Sequence, residues 1–535
     1  MNDYLAQVLI PLPVLIPLLA AAATLIASRE PRTQRVITVS ALAAVVAVCA
    51  TLLYVVDQGG TQALQVGGWG QSEPGMGPLG ITLVADRLST LMLVVSSIVL
   101  VAVVFYAIGQ GIRDGDDRQP VSIFLPTYLV LSAGVCYAFL AGDLFNLFVG
   151  FEIFLTASFV LLTIGASKDR VRAGISYVMV SMVSSLIFLL GLALVYAATG
   201  TLNMAELALR LDDVPSGTRS ALFAVLLVAF GIKAAVFPLS TWLPDSYPTA
   251  PAPVTAVFAG LLTKVGVYAI IRSHALLFPD GGMNPMLLIA ALVTMVVGIL
   301  GAIAQSDIKR LLSFTLVSHI GYMVFGIALS SELGMSGAIY YVAHHIIVQT
   351  TLFLVVGLIE RQAGASTLRR LGGLAGASPL LAFVFIIPAL NLGGIPPFSG
   401  FIGKVALLEA GTADGSVLAW ILVGGGVVTS LLTLYVVARV WTKAFWRARN
   451  DAPEGELSAA VPAVLLDDEE DIAFDERDDV GRMPVAMLAP TMALIGVGVA
   501  LTVAAGPIFA YSERAANEVI DRSEYITAVI GGDQP

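Results

Sequence analysis

The chain alternates between apolar stretches of about 20 residues and short polar connections. A bilayer core about 30 Å thick is crossed by about 20 apolar residues in a helix that rises about 1.5 Å per residue. Each stretch therefore predicts one membrane-spanning helix. We expect an all-α polytopic membrane protein with about fourteen helices, numbered in chain order at 5–27, 35–56, 86–109, 122–141, 144–165, 172–199, 219–240, 252–275, 285–304, 308–330, 334–360, 378–411, 416–446 and 484–511.

The composition supports a membrane protein. Of 535 residues, 57% are hydrophobic and 12% are charged, about half the 25% charged fraction of soluble proteins. Cys49 and Cys136 both lie in apolar runs, and the four histidines show no Cys/His spacing pattern. We therefore expect no metal and no cofactor in this chain. A membrane enzyme is disfavoured, because the sequence has no Ser/His/Asp set and no Gly-rich nucleotide loop.

Lysine and arginine are concentrated in alternate connections, which predicts the sidedness of the chain. Residues 57–85 contain neither. Cytoplasmic loops of membrane proteins carry an excess of Lys and Arg. We expect the odd-numbered connections on the cytoplasmic side and both termini on the outer side of the inner membrane. The basic residues that follow odd-numbered helices are Arg29, Arg32, Arg35, Arg113, Arg118, Lys168, Arg170, Arg172, Lys309, Arg310, Arg361, Arg369, Arg370, Lys443, Arg447 and Arg449.

The net charge of −10 arises in one segment. Residues 451–482 hold twelve acids and two bases, and the rest of the chain is balanced. The expected location is cytoplasmic, between helices 13 and 14. We favour a solvated, disordered linker, with a docking site for a partner as the alternative.

Four ionisable side chains occur where the pattern predicts hydrocarbon: Glu152 in helix 5, Lys233 in helix 7, Lys264 in helix 8 and Lys404 in helix 12. A charge at mid-bilayer costs at least about 2.5–3.5 kcal/mol on insertion scales. Such residues usually face a bundle interior, pair with one another and mark an ion or proton path. The structural alternative is a lysine that reaches the interface, or a Glu–Lys pair that only joins helices.

Two of these helices contain proline breaks. Pro238 follows Lys233 in helix 7, and the sequence GGIPPF precedes Lys404 in helix 12. Proline removes a backbone donor and clashes with the carbonyl one turn back. Interrupted backbone at membrane depth is tolerated where protein or a wet cavity surrounds it, and paired interruptions indicate a repeated transporter. We expect two inverted five-helix repeats, helices 4–8 and 9–13, with helices 7 and 12 broken; the alternative is prolines that merely bend helices.

The histidines are candidates for a proton relay, because imidazole titrates near neutral pH. His344 and His345 lie in helix 11 and His319 in helix 10. We favour His345 as the relay residue, with His319 as a weaker candidate, since adjacent helix positions diverge by about 100°. A buried neutral histidine that only fills a structural role is the alternative. His274 is expected at the interface.

Long motifs in these helices resemble the superfamily of antiporter-like membrane subunits. The motifs are FVGFEIF, GIKAAVFPLSTWLPDSYPTAPAPVTA, LLTKVGVYAI and GGIPPFSGFIGK. The superfamily includes proton-pumping subunits of respiratory complex I, subunits of membrane-bound hydrogenases, and large subunits of Mrp-type cation/proton antiporters. The resemblance is strongest over about residues 80–440. GTLNMAEL after helix 6 and the chain length are most similar to an Mrp-type subunit.

The resemblance implies roles for the matching positions. Glu152 and Lys233 match an ion pair, Lys264 a central lysine, His345 a relay position and Lys404 a terminal lysine. It further implies a proton-translocating subunit of a hetero-oligomeric Mrp-type Na⁺/H⁺ antiporter complex, with the bilayer, other subunits, protons and Na⁺ as partners and no nucleic acid. A redox-driven pump, in complex I or a membrane-bound hydrogenase, is the competing function, and a structural scaffold is another.

The expected organisation has five parts. Residues 1–110 hold helices 1–3, residues 111–276 the first inverted repeat and residues 277–450 the second. The acidic cytoplasmic loop, 451–482, separates them from helix 14 and the carboxy-terminal tail at 483–535.

Overall fold

A computed structural model describes residues 2–68, 80–111, 122–164, 168–279, 282–454, 481 and 483–531. Most of the predicted acidic loop, residues 455–480 and 482, lies outside the described residues, as do Arg113 and Arg118.

Helices dominate the described part of the chain. Twelve of them are long and apolar enough to cross a membrane, and two shorter apolar helices, Phe124–Leu140 and Pro379–Gly393, accompany them. The predicted polytopic all-α fold with about fourteen spans is thus confirmed at twelve to fourteen. The α-helices are α1 (Asn2–Leu9), α2 (Leu12–Ile26), α3 (Pro31–Gly59), α4 (Arg87–Gln110), α5 (Phe124–Leu140), α6 (Leu144–Thr163), α7 (Lys168–Thr199), α8 (Met204–Arg210), α9 (Ser216–Ala234), α10 (Leu243–Ser246), α11 (Ala252–Val257), α12 (Thr263–Arg272), α13 (Asn284–Ala304), α14 (Ile308–Ala328), α15 (Glu332–Ala363), α16 (Leu374–Ala377), α17 (Pro379–Gly393), α18 (Ser399–Asp414), α19 (Val417–Val440), α20 (Val485–Val503), α21 (Ala505–Asp521) and α22 (Ser523–Ile530).

Two features differ from the predicted spans. A β-hairpin, β1 (Gln62–Val66) and β2 (Ile81–Ala85), precedes α4, and its strands pair antiparallel from Gln62↔Ala85 to Val66↔Ile81. Strands of five residues are too short to stand out in a hydropathy pattern. The prediction of one helix over 484–511 is wrong, because α20 ends at Val503 and α21 begins at Ala505. Pro507 explains this break, since its ring clashes with the carbonyl four residues earlier.

The centre of the bundle is formed by α15, which is buried from Gly334 to Ile359, and by the continuous span Ala252–Leu277, which is buried throughout. That span joins α11 to α12 through a π-helical segment, Phe258–Leu262. Around α15 pack α14, α17, α18, α20 and α21. These central elements carry most of the candidate residues, so the candidate site lies in the protein interior.

The carboxy-terminal helices close one end of the bundle, which we call the hairpin end; the opposite end, with Lys309, is the basic end. At the hairpin end Arg87 Nη1 lies 3.0 Å from Glu518 Oε2 on α21. Arg514 Nη2 lies 2.8 Å from Asp57 Oδ1 on α3. The hydroxyl of Thr61 also donates to Glu518. These contacts fix α21 over the start of α4.

We expect the docking of α21 to depend on pH. Burial and the nearby Asp86 raise the pKa of Glu518 from 4.5 to about 7, and they outweigh the Thr61 hydrogen bond and the Arg87 ion pair, which lower it. A carboxyl whose pKa is higher in the folded state stabilises the fold at low pH, and that contribution is lost as pH rises through the folded pKa. Amide exchange in residues 505–530 should therefore be slower, relative to intrinsic rates, at about pH 5 than at about pH 8.

Glu518→Gln is the control for this effect, because glutamine keeps the hydrogen bond from Thr61 without titrating. It should remove the difference between the two pH values. Equal protection of α21 in the unaltered protein at both pH values would contradict the prediction.

Candidate functional site

Glu152 and Lys233 meet near the surface of the bundle. The Lys233 Nζ and Glu152 Oε1 atoms are 3.9 Å apart, and the Glu152 side chain is 38% exposed whereas that of Lys233 is 4% exposed. Ser185 on α7 stands between them: its hydroxyl donates to Glu152 and accepts from Lys233 Nζ at 3.2 Å. The Lys233 ammonium also lies 4.9 Å from the centre of the Phe151 ring. The arrangement is an ion pair bridged by a hydroxyl.

Lys233 lies next to the end of α9. The helix ends at Ala234, and Ala235 takes the left-handed conformation with φ 59°. Pro238 explains the end, because its ring clashes with the carbonyl of Ala234. A cavity of about 20 Å³ beside Lys233 is lined in part by Ser181 and Ser184, which is room for about one water molecule.

Lys264 is fully buried in α12, directly after the π-helical segment. Its Nζ donates to the carbonyl of Ala259 at 2.5 Å. A π-helical turn leaves a carbonyl without its usual partner, and such turns are frequent at functional sites. The local backbone therefore supplies a polar contact for the amine.

His345 and His319 face each other in the interior, with ring centres 5.1 Å apart. His319 Nδ1 shares a hydrogen bond of 2.7 Å with the Tyr341 hydroxyl. Among the described residues, neither ring nitrogen of His345 has a hydrogen-bond partner. His345 lies within electrostatic range of both Lys264 and Lys404, and so does His319. The two facing histidines therefore lie close to both buried lysines.

His344 points toward the second helix break. Its Nδ1 shares a hydrogen bond of 2.9 Å with Ser399 Oγ, the first residue of α18. Asn391, at the end of α17, accepts from the backbone N–H of Gly400 at 2.9 Å. His344 also lies within electrostatic range of Lys404. The two adjacent histidines thus contact different helices.

Lys404 is held by the interrupted backbone between α17 and α18. Its Nζ donates to the carbonyls of Leu392 and Gly393, each at 3.2 Å, and to Ser430 Oγ at 3.1 Å. Gly394 has φ +78°, and a Cβ there would lie 2.9 Å from the lysine stem. Pro396 and Pro397 end α17, because their rings clash with the carbonyls one turn back. Within the described residues, no carboxylate forms an ion pair with Lys404.

We call Glu152, Lys233, Lys264, His345 and Lys404 the row. Glu152 pairs with Lys233, His345 lies within electrostatic range of Lys264 and Lys404, and the two parts meet where Gly266 of α12 packs against the backbone of Lys233 and Ala234. Ser185 and Ser399 were not singled out by the sequence, since a serine in a membrane helix gives no hydropathy signal. The sequence analysis favoured His345 over His344, but the structure also brings His344 to the second helix break. His274, expected at the interface, is buried and bonds to Asn284 at 2.8 Å. The sequence also missed a buried ion pair between Arg272 and Asp86 at the hairpin end.

A multi-pass bundle with broken helices and a row of buried ionisable side chains defines a class of membrane proteins that move ions. Residues 141–433 match the family model described as "NADH:quinone oxidoreductase/Mrp antiporter, TM". The chain belongs to this family.

Comparisons with named relatives support this family membership. The chain is 38% identical over 525 residues to the D subunit of the Na⁺/H⁺ antiporter of Alkalihalophilus pseudofirmus, covering 98% of this chain and 99% of that protein. A chain in the structure of the Mrp complex from Dietzia sp. DQ12-45-1b is similar with a TM-score of 0.86 and 34% identity, covering 98% and 100%. A chain of respiratory complex I from Thermus thermophilus has a TM-score of 0.73 at 22% identity, with 96% and 99% covered, and shares the fold.

Proposed function

We propose that this chain is the proton-translocating D subunit of an Mrp-type Na⁺/H⁺ antiporter complex. It is a transporter subunit in a multi-pass membrane assembly and works beside other subunits. The observation that carries the proposal is the row from Glu152 to Lys404. Glu152 pairs with Lys233, and His345 lies within electrostatic range of Lys264 and Lys404. The two parts meet where Gly266 of α12 packs against the backbone of Lys233 and Ala234. The similarity to an antiporter D subunit, which spans nearly the whole of both chains, supports the assignment to the Mrp type.

The pair of Glu152 and Lys233 is the switch in this proposal. Burial disfavours a charged amine, whereas a nearby carboxylate favours it. A separation of 3.9 Å with a bridging serine lets the two charges approach or separate through small side-chain motions. Lys233 would hold a proton when the pair is closed and release it inward when the pair opens. A neighbouring subunit can bias this equilibrium through the exposed part of Glu152.

Lys264 and the histidines would carry the proton along the middle of the bilayer. A buried nitrogen without a hydrogen-bond partner is unfavourable by about 1–3 kcal/mol, so the two ring nitrogens of His345 favour a chain of water molecules at this point. His344 and Ser399 would extend the route toward the second break. Lys404 would then exchange the proton with one side of the membrane through the opened backbone between α17 and α18.

The topology is proposed with the function. Five helices per unit reverse the orientation of the second unit, so the breaks after α9 and α17 fit two inverted repeats, helices 4–8 and 9–13 of the sequence analysis. We assign residues 1–110, 111–276, 277–450, 451–482 and 483–535 to the five parts given there. The basic end would face the cytoplasm and the hairpin end, with both termini, the outside, in line with the distribution of Lys and Arg.

Replacing Lys233 by alanine tests the proposed function. The assembled complex should lose Na⁺-driven proton movement in everted membrane vesicles, measured as dequenching of a pH-sensitive dye after Na⁺ is added. The expected loss is about 100-fold, the lower range for removing a positioned proton-transfer group.

Lys309→Ala is the matched control, because Lys309 is also ion-paired, to Glu360 at 2.6 Å, but lies at the basic end outside the row. It should retain transport. Unchanged transport in assembled Lys233→Ala complexes would defeat the proposal. A pump driven by redox chemistry instead predicts that the unaltered complex shows no response to Na⁺ and copurifies with iron–sulfur and flavin subunits.

A further inference from the structure

A second set of buried charges lies at the hairpin end, outside the row. Arg272 on α12 forms an ion pair with Asp86, the residue that caps α4. Their side chains are 3% and 1% exposed. Asp86 is fixed by the backbone N–H of Ser89, which donates to its Oδ1 at 2.8 Å. Removing two charges from water is costly, so a buried ion pair need not stabilise the fold. The presence of this pair therefore needs another explanation.

Arg272 lies on the same side of α12 as Lys264, the row residue of that helix. Lys264, Tyr268 and Arg272 are four residues apart along α12, a spacing that places them on one face. Arg272 Nε donates to the Tyr268 hydroxyl at 3.0 Å, and that hydroxyl donates to the carbonyl of Phe139 at 2.7 Å. The face therefore leads from Lys264 at mid-membrane directly toward the hairpin end.

Aromatic side chains and a further ion pair cover Arg272. Its guanidinium carbon lies 5.2 Å from the ring centres of both Tyr268 and Tyr525. Arg87, next to Asp86, pairs with Glu518 on α21 at 3.0 Å. The polar side chains that follow Lys264 along α12 toward the hairpin end thus finish at a guanidinium, which carboxy-terminal residues cover.

A guanidinium is unsuited to passing a proton. Arginine has five N–H donors and no acceptor, and it does not lose its proton in proteins. While Arg272 is in place the Tyr268 hydroxyl cannot accept a proton from Lys264, because it already accepts from the guanidinium and donates to the carbonyl of Phe139. Arginine side chains and fixed positive charge are known to exclude protons from membrane pores.

We propose that Arg272, held by Asp86, is a proton seal that prevents protons on Lys264 from reaching the hairpin end directly. Protons then have to travel along the row to Lys404. The proposal rests on the proposed function of the row. It adds a residue that blocks proton flow past the row, so that protons cannot cross without the exchange for Na⁺. Arg272 acts as a barrier and does not carry a proton itself.

The test is passive proton leak in liposomes that contain the purified complex and a trapped pH dye, with no Na⁺ present. The double variant D86N/R272Q replaces the ion pair by two neutral amides that can hydrogen-bond each other. We expect an imposed pH difference to decay several-fold faster than with the unaltered complex. Asp86→Asn alone keeps the guanidinium, so liposomes with this variant should not leak protons. It leaves a buried charge unpaired and should therefore be less stable than the double variant.

The order of the leak rates in the two variants distinguishes a seal from an ion pair that only stabilises the fold. If the pair only stabilises the fold, leak should be absent in the double variant, and any leak should follow the loss of stability in Asp86→Asn. Adding Lys264→Met to the double variant should restore the slow decay, because the leak is expected to pass through Lys264. A leak that persists without Lys264, or no leak in the assembled double variant, overturns the proposal.

Arg272→Lys is the second variant, since it keeps the charge and the partner and is the more conservative change. A buried lysine exchanges its proton readily, so a leak is expected here too. An assembled Arg272→Lys complex as tight as the unaltered one overturns the seal even where the double variant does not fold. Failure of the row itself would appear separately, as retained transport in Lys233→Ala.

Discussion

Lys404→Ala is expected to reduce Na⁺-driven proton movement by about 100-fold or more, as the loss of a positioned proton-transfer group does. The amine is enclosed by two backbone carbonyls and the Ser430 hydroxyl, each within 3.2 Å. Alanine leaves these acceptors in place without a group that can carry a proton between them. The measurement is dequenching of a pH-sensitive dye in everted vesicles, normalised to the amount of assembled complex.

Lys404→Arg distinguishes a proton carrier from a fixed charge. Arginine retains the positive charge and can donate to the same carbonyls, but it does not release its proton. We therefore expect this variant to assemble and to remain inactive. Lys443→Ala, at an exposed lysine just past α19, is the control and should transport normally. Recovery of transport in Lys404→Arg would show that only the charge of Lys404 matters.

The sequence was informative about this lysine because a charge in an apolar run is costly. Each of Glu152, Lys233, Lys264 and Lys404 interrupts an apolar run, where a charge is energetically unfavourable and usually marks a functional site. The helix breaks were predictable for a similar reason, since proline acts on its own helix. Local signals of this kind need no knowledge of neighbouring helices.

The partners of these residues could not be predicted in the same way. Ser185 bridges Glu152 and Lys233 only because α6, α7 and α9 are rotated so that three side chains meet. A serine costs little in a membrane helix, since it can donate to a carbonyl of its own helix. Contacts of this kind depend on packing, and their residues leave no local pattern.

The burial of Arg272 could not be predicted for a different reason. An arginine near the end of an apolar run normally extends to the headgroups, and no local pattern distinguishes Arg272 from such an arginine. Its partner Asp86 comes directly after a short hairpin that the hydropathy pattern did not predict. The hairpin and the carboxy-terminal helices together turn an interfacial position into a buried one.

Gly266 determines how the first two lysines of the row are positioned. A Cβ at this residue would lie 2.6 Å from the Ala234 nitrogen and 2.9 Å from the Lys233 carbonyl carbon. Helix α12 therefore touches the backbone of α9 at Lys233 and Ala234. Lys264, two residues from Gly266, is held at its present depth by this contact.

Gly266→Val is expected to abolish transport, and Gly266→Ala to reduce it strongly. The added atoms meet backbone, which cannot rotate away as a side chain can, so α12 has to move from α9. Overpacking of this kind costs typically about 1–3 kcal/mol, and a displacement of about 1 Å between reacting groups can lower a rate about 100-fold. Transport per assembled complex and the melting temperature in detergent measure the two effects.

Gly496→Val is the matched control, because Gly496 lies in the membrane-spanning helix α20 with no atom within 4 Å of the added Cβ. It should assemble and transport normally, which shows that valine in a membrane helix is tolerated as such. If Gly266→Ala assembled and transported like the unaltered complex, close contact between α9 and α12 would not be needed for proton transfer. Protons would then pass from Lys233 to Lys264 across a wider space between α9 and α12, through more water than the packing at Ala234 now admits.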